Sequence, residues 1–224
     1  MSTRTHLFTL VVFDDCDLLD VGGPYEVLLT ADRVAAADAC PDRFRVEVAS
    51  THGQPVTAYG GLGLVPTTSV SDATDRGGID WLVVPGSIDI DAALADAELV
   101  AAIRRLATDA RQVASVCTGA LLLAQSGLLD GVSAATTHHE DVGLLAARIG
   151  EDRARLGPRW VDAGGVVTAA GLSSGIAMAL HLVARIAGHD LALRTAAKLE
   201  YDWDPEAGIE VASADAHDGA PQAR

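Results

Sequence analysis

Cys117 ends the apolar run VASV (113–116), and Thr118-Gly119 opens the helical run TGALLLAQSGLL (118–129) directly after it. A sharp strand-to-helix turn of this kind lifts a nucleophile clear of the backbone. The amino end of the helix then points N–H groups and partial positive charge at the sulfur, which favours a thiolate and lowers the thiol pKa. The N–H of Thr118 is in place to hold a developing anion. The same pattern also fits a small buried apolar cysteine at a strand end.

Asp20 follows the first apolar run and precedes Gly22-Gly23-Pro24. A carboxylate beside a thiol holds its proton or activates water. Position alone favours a solvated loop acid, since Asp14, Asp15 and Asp17 are close by. The turn Pro85-Gly86-Ser87 ends a third apolar run and can present backbone N–H groups to an anion, although most Pro-Gly pairs are plain turns. In TTHHED (136–141), His138 or His139 reads as a base, a ligand or a polar group capping a helix. Two adjacent histidines do not share a helix face, and position 143 is Gly, so no HExxH zinc motif is present. Cys16, Cys40, His181 and His189 have no motif around them and read as structural or surface residues.

The elements that must position these residues alternate. HLFTLVVF (6–13), FRVEVAS (44–50), WLVVPG (81–86) and QVASV (112–116) read as strands. Residues 14–20 read as a polar turn, followed by a helix with Pro24 in its first turn that runs to about Ala35. Residues 54–70 suggest a hairpin, residues 91–109 one amphipathic helix, and 118–129 and 140–150 two more helices. RWVDAGGVVTAAG (159–171) reads as a hairpin turning at Gly164-Gly165, and two helices follow, separated by Gly188. Strands alternating with helices, several of the strands continuously apolar, predict an α/β fold with a mostly parallel central sheet covered on both faces. Sites in such sheets lie at the carboxyl ends of the strands. Residues 1–204 read as a single domain. From Pro205 to Arg224 the chain is small, acidic and without period, which predicts a poorly ordered tail.

Charge excludes some partners. Lys and Arg number 16 against 31 Asp and Glu, a net charge of −15. No local basic patch offsets it, so nucleic acid and anionic lipid surfaces are not expected partners. No apolar run approaches the length of a membrane helix. The amino-terminal MSTRTHLFTLVVF lacks a small-residue cleavage site and runs into Asp14-Asp15, unlike a secretory signal. Three cysteines without a CxxC fit reduced thiols, not a disulfide framework or a zinc site. A cytoplasmic location is expected. Asp exceeds Glu by 23 to 8 and Arg exceeds Lys by 15 to 1, a bias that fits a GC-rich genome or adaptation to salt and does not bear on function.

Taken together, LLDVGGPYEVL (18–28), VVPGS (83–87), SVCTGALLLAQSGLLDG (115–131), ATTHH (135–139) and TAAGLSSGIAMALHLV (168–183) resemble the ThiJ/PfpI superfamily, a glutamine-amidotransferase-like α/β group. The resemblance spans about residues 6–203 and is strongest to the branch holding isocyanide hydratases and the ligand-sensing domains of AraC-type regulators. It implies a flavodoxin-like three-layer sandwich that forms a homodimer and takes a small-molecule substrate. It further implies Cys117 as nucleophile, Asp20 as its acidic partner, and the N–H groups of Ser87 and Thr118 as polarising donors, with the Thr118 hydroxyl near the sulfur. Gly86, Gly119 and His138 complete the expected substrate-binding set.

The departures from the family pattern are informative. Ser87 stands where a second Gly is common, and His139 where a Trp is common. Thr118 replaces the His of peptidase-like members, which argues against proteolysis, and VVTAAGL lacks the late His-x-Glu of glutamine hydrolases. The resemblance thus implies thiolate addition to an isocyanide and release of an N-formamide, a reaction needing no metal or organic cofactor. A ligand sensor without turnover, and a redox or stress protein whose cysteine is oxidised or acts on reactive carbonyls, are the alternatives.

Overall fold

The computed structural model describes residues 3–212. The chain opens with β1 (Arg4–Val11), α1 (Leu18–Ala37) and β2 (Asp42–Ser50). A small hairpin of β3 (Val56–Thr57) and β4 (Gly63–Leu64) leads to β5 (Thr68–Ser69), α2 (Val70–Arg76) and β6 (Trp81–Val84). Next come α3 (Ile90–Ala95), α4 (Ala97–Asp109), β7 (Gln112–Val116), α5 (Gly119–Gln125) and α6 (Val142–Ile149). The chain continues through β8 (Trp160–Asp162), β9 (Val166–Ala169), α7 (Ser174–Ala187), α8 (His189–Lys198) and β10 (Ile209–Glu210).

Eight strands form one sheet in the order β10-β8-β9-β7-β6-β1-β2-β5. The pairs from β5 through β9 are all parallel, and β8 returns antiparallel to β9. Helices cover both faces, giving the flavodoxin-like α/β sandwich. β6 and β7 are buried almost throughout, as a strand covered on both faces must be. The three consecutive leucines of α5, Leu121 to Leu123, are fully buried, each contributing about 1.5–3 kcal/mol. Chain order reverses between β1 and β6, so the carboxyl ends of β1, β6 and β7 converge at the switch point where this topology places ligands.

Three expectations need correction. First, residues 14–20 are not all turn: α1 begins at Leu18, and Pro24 lies inside it. Gly23 is what permits the close approach of α1 to α7, since a Cβ there would stand 3.0 Å from Ile176 Cγ1. Asp20 is therefore a buried residue of the first helical turn and not a solvated loop acid. Second, residues 91–109 form two helices. Asp96 leaves the helical conformation and its carboxylate accepts the N–H groups of Glu98 and Leu99, capping α4. Third, regular structure extends past Pro205. Residues 205–207 form a 3-10 turn, and Ile209 and Glu210 pair in parallel with β8 at the sheet edge. The remainder of the expected tail, residues 213–224, lies outside the described residues.

Candidate active site

Cys117 holds φ +55, the left-handed conformation that costs a non-glycine residue roughly 1–2 kcal/mol. Several bonds keep it there. Its N–H donates to the carbonyls of Ala169 and Ala170 at 3.1 and 3.2 Å, tying the elbow to the end of β9. Its carbonyl accepts the Thr137 hydroxyl at 2.8 Å, so the ATTHH segment serves to brace the elbow. Gly119 is imposed by the same turn: a Cβ would stand 2.3 Å from the Val84 carbonyl oxygen.

Asp20 reaches the sulfur from the first turn of α1. Its side chain is fully buried, and Oδ2 accepts the Gly86 N–H at 2.9 Å. The Cys117 side chain lies against this carboxyl. Oδ1 is buried without a hydrogen-bond partner. Burial is the main force on both groups. It pushes the Asp20 carboxyl up to about 7, assisted by Asp17 and opposed by the Gly86 N–H. It pushes the Cys117 thiol up to about 12, assisted by the Asp20 charge and opposed by the N–H groups of Thr118 and Leu172 that face the sulfur. The expected lowering of the thiol pKa by the helix amino end is thus corrected. Desolvation and a neighbouring carboxylate outweigh two N–H dipoles, so the resting sulfur is a thiol.

The Pro85-Gly86-Ser87 turn is also reassigned. The Ser87 N–H donates to Thr118 Oγ1 at 2.9 Å, and the Thr118 hydroxyl donates to the Ser87 carbonyl at 3.0 Å. The Ser87 N–H, expected as a polarising donor, is engaged by Thr118 Oγ1, and the Thr118 hydroxyl joins the two loops. Ser87 Oγ donates to the Asp15 carbonyl, and Ser87 bridges Cys16. Gly86 must lack a side chain, because a Cβ would meet Thr118 Oγ1 at 2.5 Å and Thr118 N at 2.7 Å.

The structure thus brings Cys117, Asp20, Thr118, Gly86, Ser87 and Gly119 into one cluster. His138 stands at its margin. Its ring packs on Gly171, Nδ1 lies 3.5 Å from Asp141 Oδ2, and it faces Asp17. His139 is exposed. A cleft of about 410 Å³ runs past His138, Arg159 and Gly171 to Leu172. Leu172 is a site residue that the sequence reading passed over. It has φ +41, and it is a half-exposed apolar residue in an otherwise small and polar turn, the one signal that marked it. His181 is structural as read, with Nε2 2.8 Å from Asp162 Oδ2. Among the described residues no group of three or more His, Cys, Asp or Glu is arranged to hold a metal, and no helix is long and apolar enough to cross a membrane.

Comparison with known proteins places the chain in a family. The DJ-1/PfpI family model matches residues 8–185. The isonitrile hydratase of Pseudomonas putida is 34% identical over 194 residues, 85% of this chain and 76% of that protein. The HTH-type transcriptional regulator GbdR of Pseudomonas aeruginosa is 26% identical over 182 residues, 81% of this chain but only 47% of the regulator. The crystal structure of a ThiJ/PfpI family protein from Pseudomonas syringae superposes with a TM-score of 0.76 at 27% identity, covering 91% of this chain and 78% of the other. The chain belongs to the DJ-1/PfpI family.

Proposed function

We propose that the protein is a cofactor-independent hydratase that adds water to an isocyanide through a thioimidate on Cys117. The observation that carries this reading is the fully buried Asp20 carboxyl against the Cys117 thiol, with Oδ1 free of any other partner. As sulfur attacks the isocyanide carbon, the thiol proton passes to Asp20 and then to that carbon, giving R–N=CH–S–Cys117. Water next adds to the carbon, Asp20 taking its proton and passing it to the nitrogen, which gives R–NH–CH(OH)–S–Cys117. The C–S bond then breaks as the hydroxyl becomes the carbonyl, the hydroxyl proton returns through Asp20 to the sulfur, and R–NH–CHO leaves. The thiol resists ionisation on its own, so attack is coupled to proton transfer, the task of a general base with a pKa near neutrality. The N–H groups of Thr118 and Leu172 stabilise negative charge on the sulfur while this happens.

The similarity to the P. putida isonitrile hydratase supports the reading. The expected homodimer and cytoplasmic location belong to it as proposals. The test is isocyanide loss and formamide appearance with a simple alkyl isocyanide, for wild type, Cys117→Ala and Asp20→Asn. Turnover in the wild type alone is the expected result, and turnover that survives Cys117→Ala overturns the mechanism.

Ligand sensing without turnover is the second reading. It is supported by the similarity to GbdR and by a thiol that burial keeps protonated. Saturable isocyanide binding with no formamide favours it.

A further inference from the structure

The end of the sheet opposite Cys117 holds a cleft of about 270 Å³. It lies at the amino ends of three adjacent strands. Arg4 opens β1, Asp80 and Trp81 open β6, and Arg111 and Gln112 open β7. Arg185 of α7 forms one wall, its guanidinium carbon 5.3 Å from the Trp81 ring centroid. In a chain of net charge −15, a lining of three arginines with one carboxylate, Asp80, is unusual.

Most of these charges are already matched. Arg185 spends its guanidinium on both oxygens of Asp162 and on the Gly164 carbonyl. His6 pairs with Asp42 at 2.7 Å. Arg4 and Arg111 differ. They share one oxygen, Asp80 Oδ1, and each stands 3.6 Å from it, beyond hydrogen-bond length. The other oxygen of Asp80 is fixed by the Leu7 N–H at 2.9 Å. Two guanidinium groups against one carboxylate leave one positive charge and several forked N–H donors facing the cleft. The Gln112 amide stands beside them, and Trp81 and Ile186 supply an apolar wall.

We propose that this cleft is a second ligand site, separate from Cys117, which takes a small oxyanion, a carboxylate or a phosphate, between Arg4 and Arg111. The guanidinium groups would grip the anion as a fork, and Asp80 would limit the affinity by like-charge repulsion. The site uses no residue of the hydratase reading, so it stands or falls independently of that reading.

The experiment is calorimetric titration of the full chain at constant ionic strength, with inorganic phosphate in one arm and malonate in the other. One saturable site per chain is expected in the millimolar range or tighter in at least one arm. Saturation with phosphate alone identifies a tetrahedral oxyanion as ligand, and saturation with malonate alone identifies an organic acid. Arg4→Gln or Arg111→Gln should weaken binding at least tenfold, and both side chains are mostly exposed, so folding is preserved. Asp80→Asn should strengthen binding, the opposite sign, and a merely structural role for the cluster would not produce it. If Asp80→Asn misfolds, the arginine variants decide. No saturable binding in either arm, or binding unchanged in both arginine variants, overturns the proposal.

Discussion

Asp20 Oδ2 accepts the Gly86 N–H at 2.9 Å, which joins the first turn of α1 to the loop after β6 across 66 residues of sequence. That bond leaves the other carboxylate oxygen buried and unpartnered beside Cys117. Strands β1, β6 and β7 are sheet neighbours, so the segments that follow them bring the Asp20 carboxyl of α1, the Gly86 N–H and the Cys117 thiol together at one end of the sheet.

Asp20→Asn should therefore act on the thiol as well as on turnover. Removing a general base costs roughly 10²–10⁴-fold in rate. The Asp20 charge also raises the thiol pKa, so its removal should lower that pKa. Alkylation of Cys117 by iodoacetamide across pH measures this. The expected variant reacts at lower pH than the wild type while turning over isocyanide far more slowly. Equal alkylation profiles would place Asp20 out of electrostatic reach of the sulfur.

The same carboxyl should set stability and activity against each other in pH. Its folded pKa is raised from 3.8 to about 7. Well below its unfolded pKa of 3.8 it is protonated in both folded and unfolded chains and costs nothing. As pH rises, the unfolded chain loses the proton first and gains by it, so folding stability falls until pH passes about 7. The loss is of order 4 kcal/mol. Other carboxylates shift the absolute curve, so the quantity to follow is wild type minus Asp20→Asn in urea unfolding between pH 4 and 8. That difference should decline with pH. Wild-type turnover should rise through the same range as the base form appears.

Thr118→Val tests the brace between the two loops. The isosteric change removes the acceptor for the Ser87 N–H and the donor for the Ser87 carbonyl, both buried. Leaving these groups unpaired costs about 1–3 kcal/mol each. Thr118→Ser keeps both bonds and should retain most of the wild-type stability. Thermal melts of the two variants separate the hydroxyl from the methyl.

The fold was largely legible in the sequence because strands covered on both faces read as continuous apolar runs and each helix carries its own period. QVASV matches β7 residue for residue. Boundaries set by a single side chain were less visible. The Asp96 cap splits one apolar period into two helices, and α1 begins at Leu18, inside the segment 14–20 that reads as a polar turn. In the site, the meeting of Asp20 with Cys117 came from the family resemblance, since position alone made Asp20 a loop acid. The direction of the thiol shift was not legible. A helix amino end can be read from sequence, but burial and a carboxyl drawn from a distant segment cannot. Leu172 was missed for a similar reason: its contribution is a backbone N–H, which any residue type supplies.

Gly119→Ala is the most severe single change expected outside the reacting groups. A methyl group at this position would stand 2.3 Å from the Val84 carbonyl oxygen and 2.8 Å from that of Pro85. Both are backbone atoms at the end of β6, and that strand is held by β1 on one side and β7 on the other, so neither can move aside alone. Relief requires α5 to shift away from the sheet, which would carry Cys117 and the N–H of Thr118 with it. Overpacking of this kind costs about 1–3 kcal/mol or more. The variant should melt well below the wild type, and its isocyanide turnover should fall by a larger factor than the Thr118→Ser variant shows. A Gly119→Ala protein with wild-type Tm and turnover would mean that the elbow lies farther from the Pro85 loop than this packing describes.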